Sequence, residues 1–178
     1  MSYFCSMKNL RIAIIILLTQ FIMFHSFTSL AQDSQNVPAP FLRYPTVPPF
    51  ELKGLDGKMI KRENLSNNKG TLIMFFSPDC HHCQEQVEWM KAGYDRLKDL
   101  NIVLATYHPI EDLTRFYQNY KLADWKNLYI GRDEKFFLPS YFRIGDLPFI
   151  ALYDKKGKLL NSFSGSTRID KIAGAFGK

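Results

Sequence analysis

Cysteine is scarce in this chain of 178 residues: Cys5 lies near the N-terminus, and Cys80 and Cys83 form one C-x-x-C. After that motif comes no second pair of Cys or His, so the four ligands of a closed zinc site are not supplied by sequence spacing. There is no Gly-rich phosphate loop, no internal repeat and no low-complexity tract, which removes nucleotide-binding and solenoid readings. Charge of one sign is also in short supply. The formal net charge is +6, and without Lys8 and Arg11 the balance is 21 basic against 17 acidic side chains, or +4. Basic residues come as short pairs such as Lys61-Arg62 and Lys155-Lys156, so no nucleic-acid surface is expected.

No apolar run reaches the roughly 20 residues of a membrane span. The longest, "IAIIILLTQFIMF", has thirteen residues and follows Lys8 and Arg11, and Ser29-Leu30-Ala31 then supplies the small-x-small pattern of a signal peptidase site. That layout predicts an export signal over 1–31, removed together with Cys5. The destination is the periplasm or another exported location; the alternative is a membrane anchor retained by an uncleaved N-terminus. Five of the nine prolines fall in residues 32–49, which predicts an extended linker. A single domain over 50–178 remains, long enough for one core.

Within that domain, "FELKGLDGKMIK" is two short alternating runs around Asp56-Gly57, a hairpin signature. "TLIMFF" (Thr71 to Phe76) is a continuous apolar run of strand length, as in a strand buried on both faces. Beyond the cysteines, Cys83, Val87, Met90, Tyr94 and Leu97 recur at steps of three and four, predicting a helix to about Asp99 with Cys80 at its start. "NIVLATYH" predicts the next strand, and Pro109, Glu111 and Asp112 open a helix through about Lys121. "NLYIG" predicts a strand, and "EKFFLPSYF" a helical segment that Pro139 kinks or divides. "PFIALYD" and "KLLNSFSG" flank Lys155-Lys156-Gly157 as a second hairpin, and Thr167 with Asp170 has the spacing of a capping box. The class is α/β, a mixed sheet with helices on both faces.

The C-x-x-C admits three uses: staple, metal clamp or redox couple. The loop it closes is so short that a staple would remove little chain entropy. A redox use needs the thiolate, and a free thiol near pKa 8.5 is mostly protonated at neutral pH. A helix N-terminus carries unpaired N–H groups and about half a positive charge, and His82 adds a donor or a full charge, so Cys80 is expected to attack and Cys83 to resolve. Asp79 opposes this unless it faces solvent, which is the expectation. The metal reading takes Cys80, Cys83 and His108 as ligands for copper or zinc, since His108 would share an edge with the pair if the two apolar strands are parallel neighbours.

These residues resemble the thioredoxin-like superfamily, in particular the exported TlpA/ResA-like thiol-disulfide oxidoreductases. The carriers are "TLIMFF" running into "SPDCHHC", the "FELKGLDGK" hairpin, a helix-strand insertion from about Asp112 to Ile130, and "IGDLPFIALYDKKGKLL". The resemblance implies a thioredoxin-like fold over about 50–178 and a redox-active Cys80–Cys83 disulfide with no organic cofactor. It also implies a cis Leu147–Pro148 bond opposite the cysteines, with Pro148 and Leu147 presenting the substrate and His81 and Asp79 at its edge. Partners would be protein thiols or disulfides and a thiol redox partner, a membrane-bound one included; direction of electron flow is left open. Three positions depart from the family pattern. The acid that thioredoxins carry six residues before the first cysteine is Met74, the acid of ResA-like proteins three residues after the second is Gln86, and the usual tryptophan before the first cysteine is Asp79. Peroxiredoxin chemistry fits poorly, because the places of its threonine and proline hold Ser77 and Ile73. The remaining alternative is an interaction module with an inert disulfide.

Overall fold

The run predicted as a doubly buried strand is the centre of the structure. In the computed structural model, which describes residues 37–177, Thr71–Phe75 forms β3, buried along its whole length. It pairs in parallel with β4 (Asn101–Thr106) on one side and antiparallel with β6 (Phe149–Tyr153) on the other. β5 (Leu128–Arg132) lies parallel beyond β4. The hairpin of β1 (Glu51–Gly54) and β2 (Met59–Lys61) adds to β5, and β7 (Leu159–Ser164) adds to β6. The seven-stranded order is β2-β1-β5-β4-β3-β6-β7. The export signal predicted over 1–31 lies outside the described residues, and among the described residues no helix is long and apolar enough to cross a membrane.

Alternation along β3, β4 and β6 sends side chains to two cores. Leu72, Met74, Ile102, Leu104, Ile150 and Leu152 face one side. There they meet Val87 and Met90 of α2 (His81–Ala92), Leu113 and Phe116 of α3 (Ile110–Asn119) and Ile172 of α5 (Ile169–Gly174). Ile73, Phe75, Val103, Ala105, Ala151 and Tyr153 face the other side, against Phe41 of α1 (Pro40–Arg43) and Leu138 and Phe142 of α4 (Phe137–Phe142). Each fully buried aliphatic or aromatic side chain is worth roughly 1.5–3 kcal/mol, so the two layers hold the sheet between helices.

Both hairpins use the turn chemistry read from sequence. Asp56 Oδ1 accepts from Lys58 N, and Asp154 Oδ1 accepts from Lys156 N and Lys158 N. Gly57 and Gly157 each take φ of +78°, which a side chain would strain.

Four expectations need correction. Residues from Ala39 on are not a linker: Phe41 packs edge-on against Phe142 and Phe149, and Val47 N donates to Gly157 O. The first buried residues of the domain therefore precede Phe50. The helix after the cysteines ends at Ala92 with Gly93 as its C-cap, not at Asp99, and a separate turn (Tyr94–Arg96) follows; only glycine fits at 93, where a Cβ would sit 2.6 Å from Ile169 Cγ1. Pro139 neither kinks nor divides α4; it sits in the first turn, where a missing N–H costs least, and the helix is capped by Asp133, whose carboxylate accepts from Phe137 N and Leu138 N. Thr167 forms no capping box, since its hydroxyl donates to Gly165 O and Asp170 pairs instead with Arg96.

Candidate active site

The parallel strands β3, β4 and β5 all end at one edge, and β6 begins there. Open α/β sheets bind ligands at such strand ends. β3 runs through Phe76 into Ser77, Pro78, Asp79 and Cys80, and α2 starts at once, with Cys80 as its extended N-cap. Because Phe75 pairs with Phe149, the preceding residue Pro148 lies at the same edge. The Leu147–Pro148 bond is cis, as the resemblance implied. Pro148 is buried, its carbonyl accepts from Gly165 N, and Leu147 packs against both cores.

The two cysteines are free thiols in unlike surroundings. Cys80 is partly exposed. Cys83, one helical turn on, is fully buried. Burial first, and then the hydrogen bond with the Cys80 thiol, push the Cys83 pKa up to about 12, while a hydrogen bond from the Ser77 main chain pulls it down. Ser77 also holds Cys80, whose N–H donates to Ser77 O. His81 and His82 are both exposed, their rings 6.0 Å apart, and Ser166 Oγ donates to the His82 carbonyl. Asp79 faces solvent as expected.

His108, at the end of β4, does reach this edge. Its Nε2 lies 3.0 Å from Ser77 Oγ, and its Nδ1 lies 3.7 Å from Asp112 Oδ2 and 3.9 Å from Asp79 Oδ2. The ring is therefore turned to Ser77 and two carboxylates, and among the described residues no three His, Cys, Asp or Glu side chains converge as a metal ion would require. A cleft of ~440 Å³ opens beside the loop, lined by Pro78, Asp79, Gln84, Asp112, Arg115 and Phe116 among others.

Two residues of this site went unread in the sequence. Ser77 was notable only as the wrong residue for peroxide chemistry, yet it touches both cysteines and His108. Gln86 was noted as a missing acid; it is fully buried, its Nε2 donates to Thr167 O at 3.1 Å, and its Oε1 accepts from Thr167 N at 2.6 Å. It clamps the segment entering α5 onto α2. The sole sequence signal was an amide on the apolar face of a helix. Glu85 and Glu88, on other faces of α2, are half-buried and exposed, respectively.

Chemically, a reachable thiol at a helix N-terminus with a second thiol beneath it can form a bond to an outside sulfur and then surrender it. Fold and site together define the thioredoxin-fold class to which thiol-disulfide oxidoreductases of the ResA/TlpA type belong. The chain belongs to the AhpC/TSA family, whose model matches residues 45–169. It is 24% identical over 127 residues to the thiol-disulfide oxidoreductase ResA of Bacillus cereus, covering 71% of this chain and 72% of that protein. Its fold is similar to that of StoA from Bacillus subtilis, with TM-score 0.54 and 20% identity over 74% of this chain and 98% of that one. It is likewise similar to a secreted Mycobacterium tuberculosis disulfide oxidoreductase homologous to E. coli DsbE, with TM-score 0.60 and 15% identity over 71% and 93% of the respective chains.

Proposed function

We propose that the protein is an exported thiol-disulfide oxidoreductase that exchanges disulfides with protein thiols through the Cys80-His81-His82-Cys83 couple. The observation that carries this reading is the paired placement of a reachable Cys80 at the start of α2 and a buried Cys83 hydrogen-bonded to it. In the reducing direction Cys80 thiolate attacks a partner disulfide and one partner sulfur departs; Cys83 then attacks Cys80, releasing the second partner thiol and leaving the Cys80–Cys83 disulfide. The oxidising direction is the reverse. His82, exposed in the first turn, supplies a donor or charge beside Cys80, and Leu147 and Pro148 present an extended partner segment as an added strand. Electrons come from or go to another thiol protein. The export reading rests on residues 8–32.

The test is to mix the protein without its leader with a disulfide-bonded protein such as insulin and follow thiol release. C80S is expected to abolish exchange, and C83S to accumulate a mixed disulfide through Cys80, visible by mass. Exchange that survives C80S overturns the reading. A reduction potential near thioredoxin's, about −270 mV, would assign the reducing direction, and one near DsbA's, about −120 mV, the oxidising one.

A further inference from the structure

Two aromatic rings are left half in water at the sheet edge that carries Cys80. Of the seven large hydrophobic side chains exposed among the described residues, only Tyr107 (43%) and Phe136 (51%) are in ring contact with each other, at 5.7 Å. Neither belongs to either core. Tyr107 follows the last residue of β4, its ring stacks on Phe75 at the end of β3 at 6.2 Å, and its carbonyl accepts from Arg132 Nε. Phe136 lies just past β5, where Asp133 N donates to Thr106 O, and it is the N-cap of α4 with φ of +52°. A bulky residue is rare in that left-handed region, and glycine would hold the same turn without steric cost. The fold gains little from an exposed ring on a strained backbone; a contact outside the chain accounts for it.

We propose that Tyr107 and Phe136 form an apolar docking platform for the partner polypeptide, taking a large aliphatic or aromatic side chain that flanks the partner's disulfide cysteine; the role rests on the dithiol function given above. The position of the rings selects this occupant. β3, β4 and β5 end at one edge and β6 begins there, so the rings share that edge with Cys80 and Pro148. A polypeptide whose sulfur bonds to Cys80 must come down on it. The edge has two unlike flanks. Toward α2 and α3 the cleft beside the loop is lined by Asp79, Glu88, Asp112 and Arg115, which favour polar groups. On the opposite flank, over Phe75, the two rings offer apolar surface. Alternation at the end of β4 makes the split, with His108 turned to Ser77 and Tyr107 to Phe75. An apolar side chain of the partner is therefore buried on the ring side and gains nothing on the cleft side.

Three disulfides test the platform in single turnover with the reduced protein. One is a symmetrical peptide dimer with leucine at the two positions on each side of its cysteine, one is the same peptide with serine at those places, and one is 2-hydroxyethyl disulfide, which has no flanking residue. Thiol release gives a second-order rate for each. The wild-type protein is expected to prefer the leucine peptide over the serine peptide about ten-fold, the scale of one apolar contact made out of water. F136G and Y107A each bring that preference within about two-fold and leave the rate with 2-hydroxyethyl disulfide within about two-fold of wild type. F136G keeps its unfolding temperature within a few degrees, since glycine suits the left-handed turn, so its lost preference is not a folding defect. Equal wild-type rates with the two peptides overturn the platform, and so does a preference that survives in both variants. A fall by the same factor with all three disulfides marks a structural role and overturns it too. A wild-type dimer that F136G disperses, with the preference unchanged, makes the face a self-contact instead. A wild-type protein that reacts with none of the three overturns the dithiol function and the platform with it.

Discussion

The start of α2 has an outer rim, and the helix continues over a buried floor within a dozen residues. On the rim, Asp79, His81 and His82 are exposed and Cys80 partly so; on the floor, Cys83, Gln86, Val87 and Met90 are fully buried. Rim side chains make few partners. Floor side chains have all of theirs, and Gln86 reaches 81 residues along the chain to find them. In the proposed function the difference divides labour: the rim faces the partner, while the floor fixes where the second sulfur lies and what its proton costs.

The largest effect is expected between the two cysteines themselves. C80S should lower disulfide exchange at least about 1,000-fold with little change in stability, since a partly exposed hydroxyl replaces a partly exposed thiol. C83S should leave the first attack intact and stop the cycle at the mixed disulfide. If insulin reduction were lost equally in both variants with no trapped adduct, rim and floor would not have separate roles. Next in size is Gln86. Q86L leaves the N–H and carbonyl of Thr167 unpaired in a site that is 6% exposed, at a cost of roughly 2–5 kcal/mol from denaturant unfolding. Q86E keeps the acceptor for Thr167 N but, when ionised, turns a charge toward Thr167 O. Its buried carboxyl is held above the ordinary range, so stability is present at low pH and lost as pH rises through the folded-state value. Recovery on acidification in Q86E but not Q86L would confirm the geometry; equal stability of both at pH 4 would refute it.

The rim was far more legible than the floor. Asp56-Gly57 and Gly157 announce their hairpins because an Asx side chain and a positive φ act within four residues. The run of β3 and the C-x-x-C are likewise local. The cis Leu147–Pro148 bond was readable only through resemblance, since nothing in a lone X-Pro sets the isomer. Long-range pairs left no trace. Ser77 meets His108 across 31 residues, and a serine in a loop carries no sign of the ring it will face. The Pro-rich stretch misled because proline hides periodicity; Phe41 and Val47 anchor it by packing, which composition does not reveal.

The floor also predicts a pH dependence. Cys83 rises from an ordinary value near 9.0 to about 12 through burial first and then the Cys80 hydrogen bond. Unfolding frees a thiol that ionises at the ordinary value, so above about pH 9 the unfolded chain binds fewer protons than the folded one. The contribution of Cys83 is therefore fully present below pH 9 and declines toward pH 12, at up to about 1.4 kcal/mol per unit. Urea unfolding of the reduced protein from pH 8 to 10.5, compared with C83A, isolates it from the tyrosines and lysines that titrate in the same range. A stability difference between the two that stays constant with pH would mean that the buried sulfur is not held neutral by its surroundings.

The smallest effect belongs to the rim histidines. His82 is exposed, and the bond that Ser166 makes goes to its carbonyl, not its ring. H82Q therefore keeps that bond and should change stability by no more than about 0.5 kcal/mol, as for surface substitutions in general. In the proposed function what it removes is a donor or charge in the first turn of α2, and an exposed group acts on the sulfur through solvent. The expected result is a fall of a few-fold in the rate of Cys80 attack at low salt, narrowing in about 1 M salt, where the Debye length is near 3 Å. H81Q, on the neighbouring rim position, should do less. A loss in H82Q that is independent of salt would assign His82 a hydrogen bond to the sulfur instead of a charge, and would move it from the rim's loose chemistry to the floor's fixed kind.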